Sequence, residues 1–422
     1  MSQIFDEQLP AGWRTSRLKH VTSLLNRGSA PNYVEVGEVR AISQAANQGG
    51  GLDWSRTRYH SFVGSVRNLK GNLRPDDVLI NSTGTGTLGR IGFFEGGPDE
   101  LPCMADSHVT IARFAGDEVY PRFGYYWLSC QPFQDFIYAA LIVGATNQIE
   151  LNRDRLADAP IPLPRWDEQR RIADFLDAET TRIDSLIQAR TRQNGLAIEL
   201  LHRSASELTG RVDLKADPRR TSLRRMIVSA KTGATPEELH PAVSIDDSLI
   251  PWYTPAALDG LMQMNDADRF VDLPTYRIAP KFSAGSVVIV GIGESLGKVG
   301  YLDHDATGNQ QLTALVANRR VVPRFLAWQL WAAQSEVRSW AQYSRIRIIN
   351  NDTLKSFPMW LPEFSRQMQI VDDLDQRRDY VLQVGKLTAK FVELARERRQ
   401  ALIAAAVTGQ LDVTTSRGAD LS

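Results

Sequence analysis

Two long stretches of the chain place apolar side chains every three or four residues, which is the spacing of one face of a helix. The first stripe runs from Ile172 to Leu208, and the second runs from Ile370 to Leu402. Charged residues occupy the other faces, so the pattern predicts two amphipathic helices of about 40 residues, each roughly 60 Å long at 1.5 Å per residue. An apolar stripe of this length needs a partner, and we expect each helix to pack against the other.

The two helices belong to a unit that occurs twice in the chain. Leu163-Pro164 precedes the first helix, and Leu361-Pro362 precedes the second helix 198 residues later. Thr209-Gly210 and Thr408-Gly409 follow the two helices, 199 residues apart, and glycine at this place signals the end of a helix. A repeat of 198 residues is far longer than a solenoid repeat, which recurs about every 20–50 residues. We therefore interpret the repeat as a duplicated domain, each copy of which is followed by a helix.

The sequence before each helix predicts a mixed α/β domain. Val78-Leu79-Ile80 and Val109–Phe114 are apolar runs with strand character, and Pro121 suits the first turn of a helix. The same order recurs in the second copy at 287–290 and from Pro323. We therefore predict an α+β fold in which two duplicated α/β domains are separated by two long helices. The predicted segments are a domain at 1–165, a helix at 166–214, a domain at 215–362, a helix at 363–413 and a tail at 414–422.

Composition limits the classes of function. Lys+Arg and Asp+Glu each number 49, and a net charge of zero argues against a protein coated with nucleic acid, although it permits a local basic surface. The two cysteines, Cys103 and Cys130, form no C-x-x-C motif, so we expect free thiols in a reducing cytoplasm. Residues 1–10 lack the features of a signal peptide, and no apolar stretch approaches the roughly 18 residues of a membrane span. We expect no membrane association.

Two glycine-rich segments match motifs of cofactor-binding or catalytic sites. Residues 84–89 fit the G-x-G-x-x-G of dinucleotide-binding proteins, and residues 293–297 fit the G-x-S-x-G of serine hydrolases, with Ser295 as nucleophile. Both motifs require a helix directly after the glycines, whereas 91–94 and 299–301 have strand character. We therefore interpret each segment as the tight turn of a β-hairpin. We expect no catalytic residue, metal site or cofactor in this chain.

The paired helix motifs resemble those of one known family. Glu168-Gln169-x-x-Ile172 after Leu163-Pro164, together with Val407–Val413 at the end of the second helix, is similar to the specificity subunit of type I restriction–modification systems. The resemblance covers nearly the whole chain. The second copy departs from the pattern, because Arg366 precedes Gln367 where the first copy has a glutamate.

The resemblance implies a function and a set of partners. The two domains would be target-recognition domains, each reading one half of a bipartite site in double-stranded DNA, and the helices would form an antiparallel coiled coil that spaces them. The chain would recruit modification (methyltransferase) subunits, two of them, which bind S-adenosylmethionine, and restriction (translocase/endonuclease) subunits. This chain would itself catalyse neither the methylation of DNA nor its cleavage. The alternatives are a coiled-coil scaffold without DNA readout and a hydrolase that uses Ser295.

Candidate contact residues follow from residue type and position. Asn, Gln and Arg can read base edges with two hydrogen bonds, and the polar groups of glycine turns can contact phosphates. The candidates for DNA binding in the first domain are Asn81, Thr85, Thr87, Arg90, Thr146, Asn147 and Gln148. Those in the second domain are Ser295, Lys298, Ser344, Arg345 and Arg347. Candidates for partner binding are Glu168, Gln169 and Gln367. Loop geometry decides which bases are read, so the sequence does not give them.

Overall fold

The structure is a computed structural model that describes residues 9–49, 51–84, 86–144, 149–212, 214–215, 217–241, 249–343 and 346–413. The chain divides into two compact units. Unit 1 comprises residues 1–188 and 390–422, and unit 2 comprises residues 189–389. Unit 1 is therefore built from two separate stretches of the chain, whereas unit 2 is one continuous stretch.

Unit 1 begins with short strands and ends its first stretch in a long helix. Its strands are β1 Arg14–Arg17, β2 Thr22–Arg27, β3 Tyr33–Val34, β4 Val39–Ile42, β5 Asn47–Gln48, β6 Gly51–Leu52, β7 Arg58–His60, β8 Asp77–Asn81, β9 Ile91–Phe94, β10 Cys103–Ala105, β11 Val109–Phe114, β12 Ile142–Val143, β13 Glu150–Leu151 and β14 Pro160–Leu163. Its helices are α1 Leu18–Val21, α2 Pro121–Ser129, α3 Gln131–Phe136, α4 Arg153–Ala157 and the first part of α5 Trp166–Leu208.

The core of unit 1 lies on both faces of one central sheet. This antiparallel sheet has the order β2-β11-β8-β9, and a second sheet has the order β10-β4-β7-β3. Successive side chains of a strand point to opposite faces, so β8 contributes to two clusters. Val78 and Ile80 pack with Trp127 of α2. Leu79 packs on the other face with Ile42 of the second sheet.

Unit 2 repeats this architecture. Its strands are β15 Arg220–Ser222, β16 Ile227–Thr232, β17 His240–Pro241, β18 Ile250–Tyr253, β19 Arg269–Val271, β20 Val287–Val290, β21 Val299–Tyr301, β22 Thr307–Gly308, β23 Leu312–Ala317, β24 Gln342–Tyr343, β25 Arg347–Ile348 and β26 Pro358–Trp360. Its helices are α6 Leu273–Ile278, α7 Pro323–Ala332, α8 Gln334–Trp340, α9 Asn351–Ser356 and the first part of α10 Phe364–Val407. The sheet orders β16-β23-β20-β21 and β22-β18-β19-β17 match those of unit 1, which confirms the predicted duplication.

Each unit contains a pair of long helices that run in opposite directions. In unit 1, Ile172 of α5 shares a buried cluster with Ile403 of α10, and further along α5 Ile183 lines a groove with Phe391. Residue numbers rise along α5 as they fall along α10, so the pair is antiparallel. In unit 2, the end of α5 lies beside the start of α10, with Arg377 Nη1 donating to Ser204 Oγ at 3.3 Å. The predicted antiparallel pairing is confirmed within each unit.

The apolar stripe of the helices is buried only in part, which the sequence did not predict. Ile172 and Ile370 near the helix starts are 1% exposed, but Leu186, Leu387 and Leu394 are 48%, 64% and 50% exposed. The helical period places these leucines on the stripe, yet the described residues cover them only in part. The middle parts of the helices therefore present apolar side chains to the surroundings.

A buried glutamine fixes the first turn of each long helix. Gln169 Oε1 accepts a hydrogen bond from Tyr120 N at 2.8 Å, and its Nε2 donates to the carbonyl oxygens of Glu118 and Pro164 at 3.1 and 3.0 Å. The side chain is 1% exposed. The amide thus joins α5 to the loop before α2 and to the strand end before the helix.

Gln367 makes the same three contacts in unit 2. Its Oε1 accepts from Val322 N at 2.9 Å, and its Nε2 donates to the carbonyl oxygens of Arg320 and Pro362 at 3.0 and 2.9 Å. We call this arrangement of Gln169 or Gln367 the glutamine clamp. Its occurrence in both units makes it part of the duplicated architecture.

An ion pair reinforces each clamp two turns further along the helix. Arg122 Nε lies 2.8 Å from Asp177 Oδ1 in unit 1, and Arg324 Nε lies 2.7 Å from Asp375 Oδ2 in unit 2. Each arginine belongs to the Pro-Arg-Phe start of α2 or α7. The long helix is therefore held to the same partner helix by a polar contact in both copies.

Neither cysteine is poised to react. Burial raises the pKa of the Cys103 thiol to about 11 and that of the Cys130 thiol to about 12, so both stay protonated near neutral pH. Within the described ranges, no three His, Cys, Asp or Glu side chains are grouped to hold a metal ion. No helix formed by the described residues is long and apolar enough to cross a membrane.

The clamp predicts a specific loss of stability. Replacing Gln169 by leucine would leave Tyr120 N–H and two carbonyl groups buried without partners, and each such group costs about 1–3 kcal/mol. We expect Gln169→Leu to lower the free energy of unfolding by about 3 kcal/mol or more, measured by urea denaturation. Gln188→Leu, the same change at an exposed site of α5, is the control and should have little effect. Equal losses in the two variants would contradict the clamp.

Candidate nucleic-acid interface

The glycine turn of unit 1 connects β8 and β9, and its backbone is fixed by local hydrogen bonds. Gly89 N donates to Asn81 O at 2.8 Å, and Thr87 N donates to Gly84 O at 3.1 Å. Gly84 and Gly89 have φ angles of +96° and +82°, a conformation that side chains disfavour. The turn leads into a strand, as predicted. No helix N-terminus follows that could bind a pyrophosphate in the way the dinucleotide motif requires.

A second loop lies against this turn. The hairpin β12–β13 follows a single π-helical turn at Ile137–Leu141. Leu151 N donates to Ser82 O at 2.9 Å, and Thr83 forms a bridge with Glu150. The base of the hairpin therefore adjoins the glycine turn. Its connecting residues Thr146, Asn147 and Gln148, and Thr85 of the glycine turn, lie outside the described residues.

Three predicted contact residues of the turn are engaged inside unit 1. Asn81, predicted to bind DNA, is fully buried, and its Nδ2 donates to Gln44 O at 3.1 Å, so its side chain holds the end of β8 to the connection after β4. Thr87 Oγ1 donates to the carbonyl oxygen of Thr83 at 3.2 Å. Arg90 is half-buried and donates from Nη2 to Gly86 O at 3.1 Å. Thr87 and Arg90 shape the turn, and DNA contact by either stays a prediction.

The structure also brings polar residues to this turn that the sequence interpretation missed. Gln44 Oε1 accepts from Thr83 Oγ1 at 3.2 Å, and His108 Nδ1 lies 2.8 Å from the same hydroxyl. Gln44 is half-buried, and its Nε2 has no acceptor in the described part of the chain. Burial raises the pKa of the neighbouring Asp106 carboxyl above its ordinary value. The polar run from Ser43 to Gln48, rich in amides, was the available signal.

Unit 2 contains the same juxtaposition. Its glycine turn joins β20 and β21, with Gly293 and Gly297 at φ angles of +98° and +89°. Gly293 N donates to Arg347 O at 3.0 Å, and Ile349 N donates to Gly291 O at 2.9 Å. The hairpin β24–β25 therefore lies beside the turn.

The predicted contact residues of unit 2 belong to these two loops. Ser295 and Lys298 are half-buried in the turn, and Arg347 is half-buried in β25. Ser344 and Arg345 lie outside the described residues. In both units, the described parts of the glycine turn and of the neighbouring hairpin are thus adjacent in the fold.

Ser295 does not have the surroundings of a hydrolase nucleophile. A strand, β21, follows its turn where a nucleophile elbow requires a helix. The histidine that follows in the sequence, His304, has its Nε2 3.0 Å from the Tyr253 hydroxyl and its Nδ1 2.6 Å from Asp303 Oδ1. Its ring nitrogens are thus engaged away from Ser295, and the hydrolase alternative loses its support.

The residues predicted to bind partners differ in their exposure. Both clamp glutamines are buried and their amides are used by the chain's own backbone, so any partner contact at these ends requires exposed neighbours. Glu168 is one such neighbour: it is half-buried, and its Oε1 accepts from Trp13 Nε1 at 3.0 Å. It lines a polar cleft in unit 1 together with Arg165, Arg171 and Asp412. Partner binding by these residues stays a prediction.

The sequence matches the model of one known protein family. The family model described as the type I restriction modification DNA specificity domain matches residues 10–193 and 229–382. The two matches fall on the two copies of the duplicated architecture and together include most of the chain. No curated protein sequence matches.

Solved structures share the fold. A chain from a study of complex assembly and conformational transition of the type I R-M system has a TM-score of 0.74 at 16% identity, over 96% of this chain and 100% of that chain. The HsdS subunit from Thermoanaerobacter tengcongensis has a TM-score of 0.51 at 18% identity, over 96% of this chain and 99% of that chain. At such identities the similarity shows the fold alone.

Proposed function

Because the chain belongs to the type I restriction–modification DNA specificity family, we propose that it is the subunit that reads a bipartite DNA site for a type I complex. Each unit reads one half-site in double-stranded DNA. The observation that carries this proposal is the adjacency of the glycine turn and the neighbouring hairpin in both units. Two copies of one scaffold thus present the same two loops with different side chains, which suits the reading of two different sequences.

The side chains of these loops are suited to DNA. Amide and guanidinium groups recognise base edges, and hydroxyl and basic groups contact phosphates. In unit 1 we add Gln44 and His108 to the candidates that the sequence predicted, because both lie within hydrogen-bonding distance of Thr83 in the turn. In unit 2, Ser295, Lys298 and Arg347 remain the described candidates.

The exposed part of the apolar stripe supports the recruitment of other subunits. Leu186, Leu387 and Leu394 expose about half or more of their side chains. Burying apolar surface is favourable by about 25 cal/mol per Å², so apolar segments of a partner would be stabilised there. We propose two modification subunits and the restriction subunits as these partners, in the cytoplasm. The modification subunits would bind S-adenosylmethionine, and this chain would bind no cofactor.

Methylome sequencing tests the proposal directly. Cells expressing this chain with its modification subunit should methylate a bipartite motif of fixed gap on both strands, and the motif should disappear without this chain. Exchanging residues 1–165 for those of a relative should change one half-site and leave the other unchanged. A soluble complex that yields no motif would favour the scaffold alternative.

The helices predict the gap between the half-sites. Deleting residues 189–195 and 384–390 removes seven residues from each helix, or about 10 Å at 1.5 Å per residue. At about 3.4 Å per base pair, the gap should shorten by roughly three base pairs while both half-sites stay the same. Replacing the same residues by seven alanines in each helix keeps the length and should keep the gap. An unaltered gap after deletion would refute the spacing role.

Gln44 predicts a change in sequence preference without a change in stability. Removing one amide that reads a base costs about 1–3 kcal/mol of discrimination, so Gln44→Ala should relax one position of the half-site read by unit 1. Gln131→Ala, which removes an exposed amide from α3, should leave the motif unchanged. Methylome sequencing of both variants, with thermal melting, separates recognition from stability. An unchanged motif in Gln44→Ala would exclude Gln44 from base reading.

A further inference from the structure

One segment of unit 1 carries a strong excess of positive charge. It extends from residue 54, where a short 3-10 helix begins, to residue 76, the last residue before β8. Its only acidic residue is Asp76. Its basic residues are Arg56, Arg58, Arg67, Lys70 and Arg74. Five positive charges against one give a net charge of +4 in a chain whose total charge is zero.

The described residues leave most of this charge without a neutralising carboxylate. Arg56 pairs with Asp53 at 2.9 Å, and Arg58 lies over the Tyr33 ring at 3.7 Å from its centroid. Arg67, Lys70 and Arg74 are exposed, and no carboxylate of the described residues lies within 4.0 Å of their charged groups. We call these three residues the basic triplet.

The backbone of the segment is held firmly against unit 1. Leu69 and Leu73 are each 6% exposed, and Leu73 N donates to Cys103 O at 2.9 Å. Gly71 has a φ angle of +75°, and a side chain there would meet Ala105 O at 2.7 Å. The basic triplet therefore projects from a fixed backbone, which lowers the entropy lost when it binds a ligand.

The corresponding segment of unit 2 lacks the charge excess. It extends from residue 255, at the equivalent 3-10 turn, to residue 286 before β20. Its basic residues are Arg269, Arg277 and Lys281. Its acidic residues are Asp259, Asp266, Asp268 and Asp272. Three positive and four negative charges give −1, so the excess is not required by the shared fold.

We propose that the basic triplet binds the phosphates of the duplex that unit 1 reads, as a contact independent of sequence. This inference rests on the proposed function, which supplies the polyanion. Exposed, unpaired cations on a fixed backbone match a row of phosphates by charge, and phosphate contacts add affinity without selecting bases. Unit 1 then supplies more of the non-specific binding than unit 2, and the complex can hold DNA through unit 1 while both half-sites are tested.

Salt dependence of binding tests the proposal. The full chain in complex with its modification subunits is titrated against a cognate and a random duplex at several salt concentrations. The test variant is Arg67→Gln/Lys70→Gln/Arg74→Gln. Each lost phosphate contact reduces the slope of log K against log salt by about 0.9, so we expect a slope smaller by about 2.7. Affinity should fall by the same factor for both duplexes, and the methylated motif should not change.

The three basic residues of the corresponding segment of unit 2 provide the control. Arg269→Gln/Arg277→Gln/Lys281→Gln removes the same charge and should leave the slope nearly unchanged. An unchanged slope in the test variant, or an equal reduction in the control, would overturn the proposal. Thermal melting verifies that both variants are folded. If the unaltered complex shows no preference for the cognate duplex, the proposed function fails, whereas the slope on random duplex still decides the phosphate contact.

Discussion

The architecture depends on one polar interaction, the glutamine clamp at the start of each long helix. A primary amide donates and accepts at once, so a single side chain can join three backbone groups that would otherwise be buried without partners. Glutamate lacks the donor and leucine lacks both functions. The apolar stripe decides what the helix packs against, but the clamp decides where the helix begins relative to its domain. The clamp therefore fixes the start of each long helix within its own unit.

Local patterns were sufficient to predict most elements of the fold. Val109–Phe114 forms a strand with the predicted bounds, and helices start at Pro121 and Pro323, because apolar runs, prolines and glycines act through neighbouring residues. The clamp could not be predicted. Gln169 looked like a surface residue because its partners, Glu118 and Tyr120, are distant in sequence and become neighbours only when the domain folds. A polar residue is buried when tertiary structure brings it partners, and local sequence does not contain that information.

At the candidate site, too, local sequence predicted the elements but not the contacts between them. The sequence indicated both loops of each unit, since glycines and polar residues between apolar runs mark turns. It did not indicate that the glycine turn and the hairpin adjoin, because that adjacency follows from strand order. Gln44 was missed for the same reason: it reaches the glycine turn from the connection between β4 and β5. The stable sheets tolerate variation in these loops, so the side chains of the loops can change while the scaffold stays the same.

The discontinuity of unit 1 has a consequence for the order of folding. Its buried core includes Ile403, Ala406 and Val407, which leave the ribosome after the whole of unit 2. Unit 2 is a continuous stretch that is synthesised completely before those residues appear. Domains generally fold as they emerge. The unit that is encoded second can thus complete its core first, while unit 1 waits for residues 403–407. A chain interrupted after residue 389 would contain a complete unit 2 and a unit 1 that lacks part of its core.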